Sequence, residues 1–266
     1  MFQASPRSMN HPYMLLVPLI SLSAALLIYL LNLNLPWFLL INSKATILIE
    51  PALWEALTIL GDGLVASAIL LPLHRINPKL AITALTSCIV AALWVHLLKA
   101  GFAVPRPPQT VDPEAITIIG PGLRYGSFPS GHTSTLFALL GCMAIWMNST
   151  PLRHLFPILF FLALLAALSR TVVGAHWPLD IMAGMAVGWI SAMVVSSLYR
   201  TFPIGDTLQI WVGRLLLLCT LYLLLAYDTG YANAKALQHG IALFVLGLAC
   251  LENLKSTRHI SLPSAR

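Results

Sequence analysis

The chain has 266 residues, of which 58% are hydrophobic and only 9% charged, and its mean hydropathy is +0.84. Soluble domains carry roughly 25% charged residues, so this composition excludes a soluble globular protein and predicts an integral membrane protein. The formal charge of +6 comes from scattered basic residues, which argues against a nucleic-acid partner. The four cysteines lie far apart in apolar runs and have neither zinc-site nor disulfide spacing.

A membrane span needs about 20 apolar residues, and the sequence predicts eight such spans. In chain order they cover 14–31, 53–73, 80–98, 131–146, 155–172, 179–198, 210–227 and 237–251. The first is expected to be a retained anchor, because its apolar run is long and no small-residue cleavage site follows it. The short apolar stretch 35–41 is typical of an interfacial segment, and 99–129 is predicted to be a loop rich in proline and glycine.

The predicted fold class is all-α, a polytopic membrane helical bundle with six core helices and two C-terminal transmembrane helices. Its three parts are an N-terminal anchor and interfacial segment (1–49), a core (50–200) and a C-terminal transmembrane hairpin with a short basic tail (201–266). An even number of spans places both termini on one side. The 15 Lys and Arg residues then divide nine to six in favour of that side, which predicts cytoplasmic termini.

Three polar stretches fall at span ends on the other side of the membrane. In the first, Lys99 ends the third span and Arg106 follows just past Pro105, where the chain must leave the helix. Two cations on such a turn can face one phosphate. Taken alone, however, basic residues at a span end are usually interfacial anchors.

The second stretch, Ser130, Gly131 and His132, opens the fourth span. Ser130 is a candidate N-cap, and a helix start offers free N–H groups and a partial positive charge that suit a phosphate. His132, in the first turn, would lie beside an anion bound there. A capped helix with an interfacial histidine is the structural alternative.

The third stretch contains Ser169 and Arg170 at the end of the fifth span, and His176 and Asp180 around the start of the sixth. The i, i+4 spacing places the imidazole and the carboxylate on one face if the segment is helical. Such a carboxylate fixes the histidine tautomer and aims the other ring nitrogen outward. Arg170 adds a planar fork suited to phosphate oxygens, whereas a salt-bridged turn is the alternative.

Together these stretches resemble the type 2 phosphatidic acid phosphatase family over roughly residues 50–200. Its signature reads K-x6-R-P, then P-S-G-H, then S-R-x5-H-x3-D. Every fixed position is matched, by Lys99, Arg106, Pro107, Pro129, Ser130, Gly131, His132, Ser169, Arg170, His176 and Asp180. The resemblance implies a membrane phosphatase that works without a metal or other cofactor.

The resemblance also implies roles. His176 would be the nucleophile and form a phospho-histidine, Asp180 would hold its tautomer, and His132 would protonate the leaving oxygen. The implied phosphate-binding residues are Lys99, Arg106, Ser130, Gly131 and Arg170. This scheme requires His176 to be neutral and His132 to be protonated at the same pH.

The expected substrate is a lipid phosphate or isoprenoid pyrophosphate, with undecaprenyl pyrophosphate, phosphatidylglycerol phosphate, phosphatidate and lipid A as candidates implied by the family. Arg124 is a candidate for binding a second phosphate. The expected location is a bacterial inner membrane with the site on its periplasmic side. A lipid phosphotransferase using the same residues is an alternative, and a non-catalytic transporter is another, although a transporter would carry its charges at the bilayer midplane.

Two further features predict local structure. Asp62 lies between Gly61 and Gly63 within the second span. It is either a cap at a helix break or an intramembrane functional carboxylate. Gly184 and Gly188 have the GxxxG spacing that is typical of close helix packing in membranes.

Overall fold

The computed structural model describes residues 13–147, 154–202 and 204–260, and all regular secondary structure in these ranges is helical. The α-helices are α1 Tyr13–Leu30, α2 Asn34–Leu48, α3 Pro51–Ile59, α4 Gly63–Ile76, α5 Pro78–Phe102, α6 Pro107–Thr110, α7 Gly131–Met147, α8 Phe156–Val172, α9 Pro178–Thr201, α10 Asp206–Leu225 and α11 Lys235–Ile260. Short 3₁₀ helices occupy Pro113–Ala115 and Ala232–Ala234. The predicted all-α fold is confirmed.

The apolar helices fit an integral membrane protein. Four segments are each long and apolar enough to span a membrane, namely Pro78–Thr110, Pro178–Tyr199, Asp206–Leu225 and Ala232–Leu251. Two bent helix pairs, α1 with α2 and α3 with α4, raise the number to as many as six. Each predicted span coincides with one of these elements or with the shorter apolar helices α7 and α8. The division into six core and two C-terminal spans remains a prediction.

α2 is longer than the predicted interfacial stretch and turns by 106° from α1. The turn is made at Asn32, whose φ of 53° lies in the left-handed region that asparagine tolerates. The polar residues that interrupt the apolar run do not end the helix, because Asn42 is buried and donates through Nδ2 to the carbonyl oxygens of Thr117 (2.9 Å) and Val172 (2.7 Å). α2 therefore packs against the end of α8.

The second predicted span is broken into α3 and α4, which bend by 60°. Asp62 is the N-cap of α4, where its carboxylate accepts from the backbone N–H groups of Leu64 (2.8 Å) and Val65 (3.3 Å). The cap interpretation is confirmed. A Cβ at Gly61 would lie 2.9 Å from Cβ of His132, so the glycine at this break also lets the start of α7 pack closely against it.

The GxxxG pair lets α9 approach α7 backbone to backbone. A Cβ at Gly184 would lie 2.7 Å from the carbonyl oxygen of Ser130, and one at Gly188 would collide with that of Ser134. Any side chain at these positions would force the helices apart. The predicted close packing is confirmed, and it places the first turn of α7 beside the first turns of α9.

The C-terminal helices α10 and α11 pack against α4. His74 Nε2 lies 2.8 Å from the carbonyl oxygen of Gln209 on α10, and Arg75 Nη1 donates to that of Ala249 on α11 at 2.7 Å. The connector between these helices, residues 226–234, returns to the end of the bundle where the polar stretches lie.

Candidate active site

The three polar stretches meet where α5 and α8 end and α7 and α9 begin. The backbone N–H of Ser130 donates to the carbonyl oxygen of Asp180 at 3.1 Å, which joins the second stretch to the third. Arg106 Nη1 donates to the carbonyl oxygen of Ala175 at 3.0 Å, which joins the first to the third. Segments some 25 to 80 residues apart in sequence thus form one cluster at one end of the bundle.

His176 and Asp180 are both buried and face each other, with His176 Nδ1 3.3 Å from Asp180 Oδ2. They do not share a helical face, because His176 lies in the α8–α9 turn and α9 begins only at Pro178. Instead, Asp180 in the first turn of α9 points back toward the turn, and the backbone N–H of His176 is fixed by the carbonyl oxygen of Arg170 at 3.0 Å. A proton on Nδ1 leaves Nε2 with a free lone pair.

Asp180 accepts two further hydrogen bonds, which hold its carboxylate in place. Ser127 Oγ donates to Oδ2 at 2.5 Å and the backbone N–H of Trp177 donates to it at 3.0 Å. Ser127 is fully buried and lies outside the three predicted stretches. No sequence signal distinguished it, since its importance comes only from its contact across the fold.

The surroundings of His176 disfavour its protonated form. Burial is the main reason that the pKa of His176 lies well below the usual 6.5. The positive charges of Arg106, Arg170 and Lys99 lower this pKa further. Asp180 can therefore orient the ring without converting it to an imidazolium. A neutral imidazole with a free Nε2 is the form that a nucleophilic histidine requires.

Arg170 is buried on the last turn of α8 and is held by two hydroxyl groups. Its Nη1 donates to Thr58 Oγ1 on α3 at 2.7 Å and to the hydroxyl of Tyr231 in the connector at 2.8 Å. Its Nε is buried and has no hydrogen-bond partner among the described residues. Sequence reasoning missed both Thr58 and Tyr231.

Arg106 is buried, and much of its guanidinium is used to hold the loop that precedes α7. Nε, Nη1 and Nη2 donate to the carbonyl oxygens of Tyr125 (2.9 Å), Ala175 (3.0 Å) and Gly126 (3.3 Å). Since a guanidinium carries five N–H donors, two remain for a ligand. Lys99 is half-buried on the last turn of α5, with its aliphatic chain beside Gly126.

At the start of α7, Ser130 is fully buried and its Oγ accepts from Thr133 Oγ1 (3.0 Å) and Thr133 N (3.5 Å). The next two residues, Gly131 and His132, are partly exposed. Arg124, the candidate for a second phosphate, has an exposed side chain, and its backbone carbonyl oxygen accepts from the N–H of Arg106 at 2.8 Å.

The candidate site is therefore a cationic cluster with one oriented histidine. In the ranges 13–147, 154–202 and 204–260, no three His, Cys, Asp or Glu side chains come together as a metal-ligand group. The charge available to a bound anion comes from Lys99, Arg106 and Arg170.

Comparison with known proteins identifies the segment that carries most of this cluster. The family model described as the PAP2 superfamily matches residues 80–204. Just under half of the chain therefore matches this superfamily. The resemblance expected from the motifs is thereby confirmed, and the PAP2 segment, residues 80–204, runs from the start of α5 to just past the end of α9.

Relatives of the chain include proteins named as phosphatases of several lipids. The chain is 33% identical over 127 residues to an undecaprenyl-diphosphatase of Sulfolobus acidocaldarius, covering 47% of this chain and 59% of the relative. It is 31% identical over 115 residues to a lipid A 1-phosphatase of Rhizobium etli, covering 41% and 46%. The chain thus spans about half the length of these curated relatives.

A solved structure shows the same fold. The crystal structure of Aquifex aeolicus LpxE matches with a TM-score of 0.55 and 28% identity, covering 62% of this chain and 95% of that one. Both Thr58 and Tyr231 lie outside the PAP2 segment, so parts of this chain beyond the family match contribute to its site.

Proposed function

We propose that this protein is a membrane phosphatase, a phosphoric ester hydrolase that removes phosphate from a lipid phosphate or isoprenoid pyrophosphate. The observation that carries the proposal is the buried pair of His176 and Asp180, with Nδ1 3.3 Å from Oδ2, whose histidine has its pKa lowered by burial and by the charges of Arg106, Arg170 and Lys99. The names of the relatives support the same reaction class.

In the proposed reaction, the phosphate oxygens bind to Lys99, Arg106 and Arg170. The buried Nε of Arg170 is a donor without a partner among the described residues, which suits a phosphate oxygen. Ser130 and the Gly131 amide add hydrogen bonds at the positive end of α7. Phosphoryl transfer depends mainly on positioning and on stabilising charge. These cations would supply that charge, and we propose that no metal is needed.

Nε2 of His176 then attacks phosphorus, so that a P–N bond forms as the bond from phosphorus to the leaving oxygen breaks. The negative charge of the bound phosphate favours the protonated form of His132, which gives its proton to that oxygen. In the second half of the reaction, His132 takes a proton from water, the water oxygen attacks phosphorus, and the P–N bond breaks to release phosphate. Asp180 keeps the proton on Nδ1 of His176 throughout.

The proposed substrate is a lipid because the site lies at the ends of apolar helices that fit a membrane. Undecaprenyl pyrophosphate, phosphatidylglycerol phosphate, phosphatidate and lipid A are the candidates. The exposed Arg124 lies on the loop that carries Arg106 and could reach the outer phosphate of a pyrophosphate.

We further propose a bacterial inner membrane with the site on the periplasmic side and both termini in the cytoplasm. α1 begins beside Trp189, whose Nε1 donates to the Met14 carbonyl oxygen (3.0 Å), well into α9 and away from Asp180. α11 begins at the connector beside the site and runs 26 residues away from it. These directions support the proposal that the termini lie on the side opposite the site, which the nine-to-six distribution of Lys and Arg also favours.

The proposal is tested by assaying purified protein for phosphate release from a panel of lipid monophosphates and pyrophosphates in the presence of a chelator. Wild-type protein and a His96→Ala control, which alters an exposed histidine on α5, should release phosphate, whereas His176→Ala should not. Full activity in His176→Ala would contradict the mechanism, and loss of wild-type activity in chelator would contradict metal independence. A phosphorylated acceptor lipid in place of free phosphate would favour the phosphotransferase.

A further inference from the structure

The connector, residues 226–234, places one aromatic side chain against the candidate site. Tyr231 is buried, and its hydroxyl accepts a hydrogen bond from Arg170 Nη1 at 2.8 Å. The Arg170 guanidinium carbon also lies 5.9 Å from the centre of the Tyr231 ring. A residue far beyond the PAP2 segment is thus in direct contact with a proposed phosphate ligand.

The described partners of the Arg170 side chain are neutral. They are the hydroxyls of Thr58 and Tyr231, both bound to Nη1, while Nε is buried without a described partner. Neutral acceptors fix the orientation of a guanidinium but leave its charge uncompensated. That charge remains available to an anion, and the two hydroxyls decide where the free edge of the guanidinium points.

The connector is anchored on both sides of Tyr231, so this hydroxyl is held in place. Tyr227 donates to Asp62 Oδ2 at 2.8 Å. Asn233 donates to Glu55 through its backbone N–H (2.7 Å) and its Nδ2 (2.9 Å). These carboxylates lie on α3 and at the cap of α4, close in sequence to Thr58.

The loop before α7 leaves space for the tyrosine ring. Gly120 has a φ of +78°, and a Cβ there would collide with Cε1 of Tyr231. An L-residue at 120 would be both strained and in collision with the ring. The connector and the loop that carries Gly120 therefore both accommodate the Tyr231 side chain in this one position.

We propose that Tyr231 is a positioning residue for phosphate binding: its hydroxyl aims the Arg170 guanidinium, so that the C-terminal hairpin completes the site built by the PAP2 segment. The inference rests on the proposed function, since it takes Arg170 as a ligand of the phosphate. It assigns to α10 and α11 a part in substrate binding besides their packing against α4.

The test measures the affinity of the full-length, detergent-purified protein for orthovanadate, a phosphate analogue. Tyr231→Phe keeps the ring and removes the acceptor. We expect its Kd for vanadate to rise about tenfold, as the loss of a hydrogen bond to a charged group predicts. The matched control is Tyr227→Phe, which also removes one hydroxyl and one hydrogen bond from the connector.

For Tyr227→Phe we expect thermal stability to fall while the Kd for vanadate stays within about twofold of wild type, because the lost bond goes to Asp62 and not to Arg170. An unchanged Kd in Tyr231→Phe would overturn the inference. Equal losses of affinity in the two variants would also overturn it, because the role would then be connector stability alone.

The same experiment separates this inference from the proposed function. Wild-type protein that binds vanadate but releases no phosphate from any lipid would contradict the proposed function. The expected difference between the two phenylalanine variants would still support the positioning role. Wild-type protein that does not bind vanadate would overturn the inference together with the phosphate site.

Discussion

The PAP2 segment and the regions that flank it contribute to the site in different ways. The segment supplies the proposed reactive pair, His176 and Asp180, and the Ser127 hydroxyl that donates to Asp180. The flanks supply Thr58 from α3 and Tyr231 from the connector, which contact Arg170 and not the histidine. We therefore expect the PAP2 segment to perform the chemical step and the flanking regions to affect how tightly the phosphate binds.

The largest effect is expected from the reactive pair. Asp180→Asn should lower kcat by about a thousandfold or more, because the amide no longer fixes the tautomer in which Nε2 is free. Asp112→Asn, on the loop after α6 with its side chain capping the 3₁₀ helix at Pro113, is the matched control and should leave kcat unchanged. Phosphate release from the best lipid substrate is the measurement. A small effect of Asp180→Asn would break the assignment of chemistry to the PAP2 segment.

The pH dependence should show that the nucleophile stays neutral in acid. The pKa of His176 lies well below its usual 6.5 because the ring is buried and faces three cations, so lowering the pH from 7.5 to 5.5 should not protonate it. A histidine with an ordinary pKa would lose roughly tenfold in its neutral fraction over this range. The measurement is the NMR titration of the His176 imidazole, assigned by comparison with His176→Ala, because a monophosphate substrate itself titrates at about pH 6. A His176 midpoint near 6.5 would contradict a neutral, buried nucleophile.

Substitution of Ser127 tests whether its hydroxyl holds the pair of His176 and Asp180 in place. Ser127→Ala removes one donor to the Asp180 carboxylate and should lower kcat about tenfold with little change in KM. Ser191→Ala removes a hydroxyl that is also buried and donates to the Val187 carbonyl oxygen of its own helix, α9, and it should leave both constants unchanged. Initial rates over a range of substrate concentrations separate the two constants. If KM alone changed, Ser127 would belong with the phosphate ligands.

Thr58 lies in the region that flanks the PAP2 segment, and its substitution should give the smallest effect of these variants. Thr58→Val keeps the shape but removes one acceptor of Arg170, and should raise KM about fivefold while kcat changes less. Thr83→Val, a buried threonine on α5 whose hydroxyl bonds to the Lys79 carbonyl oxygen, is the control for the loss of a buried hydroxyl. A fall in kcat without a change in KM would remove the proposed division between the segment and its flanks.

The sequence was sufficient to predict the all-helical fold, because apolar runs of span length leave few other structures in a membrane. It also predicted the Asp62 cap and the Gly184–Gly188 contact, since both depend on a few adjacent residues. The direction of α2 could not be predicted. Its 106° turn depends on the backbone at Asn32 and on contacts of Asn42 with residues far along the chain.

The site was predictable to the extent that its residues occur in short motifs. The structure brings together the stretches that contain Arg106, Ser130 and Asp180. Serine, threonine and tyrosine are common, however, and Thr58 and Tyr231 acquire a role only when chain segments 112 and 61 residues away from Arg170 meet it. The use of Arg106 to bind three carbonyl oxygens was likewise invisible in the sequence.

The backbone contact of α7 and α9 at Gly184 and Gly188 has a consequence for how a substrate is handled. The carbonyl oxygens of Ser130 and Ser134 lie where side chains at these positions would be, so α7 and α9 are in backbone contact. On the proposed mechanism, this contact fixes the distance between the proton donor on α7 and the nucleophile ahead of α9. The distance between α7 and α9 would then set the size of the lipid headgroup that the site accepts. Alanine at Gly184 or Gly188 would increase this distance. We expect such a variant to change which lipids bind before it lowers the rate of the chemical step.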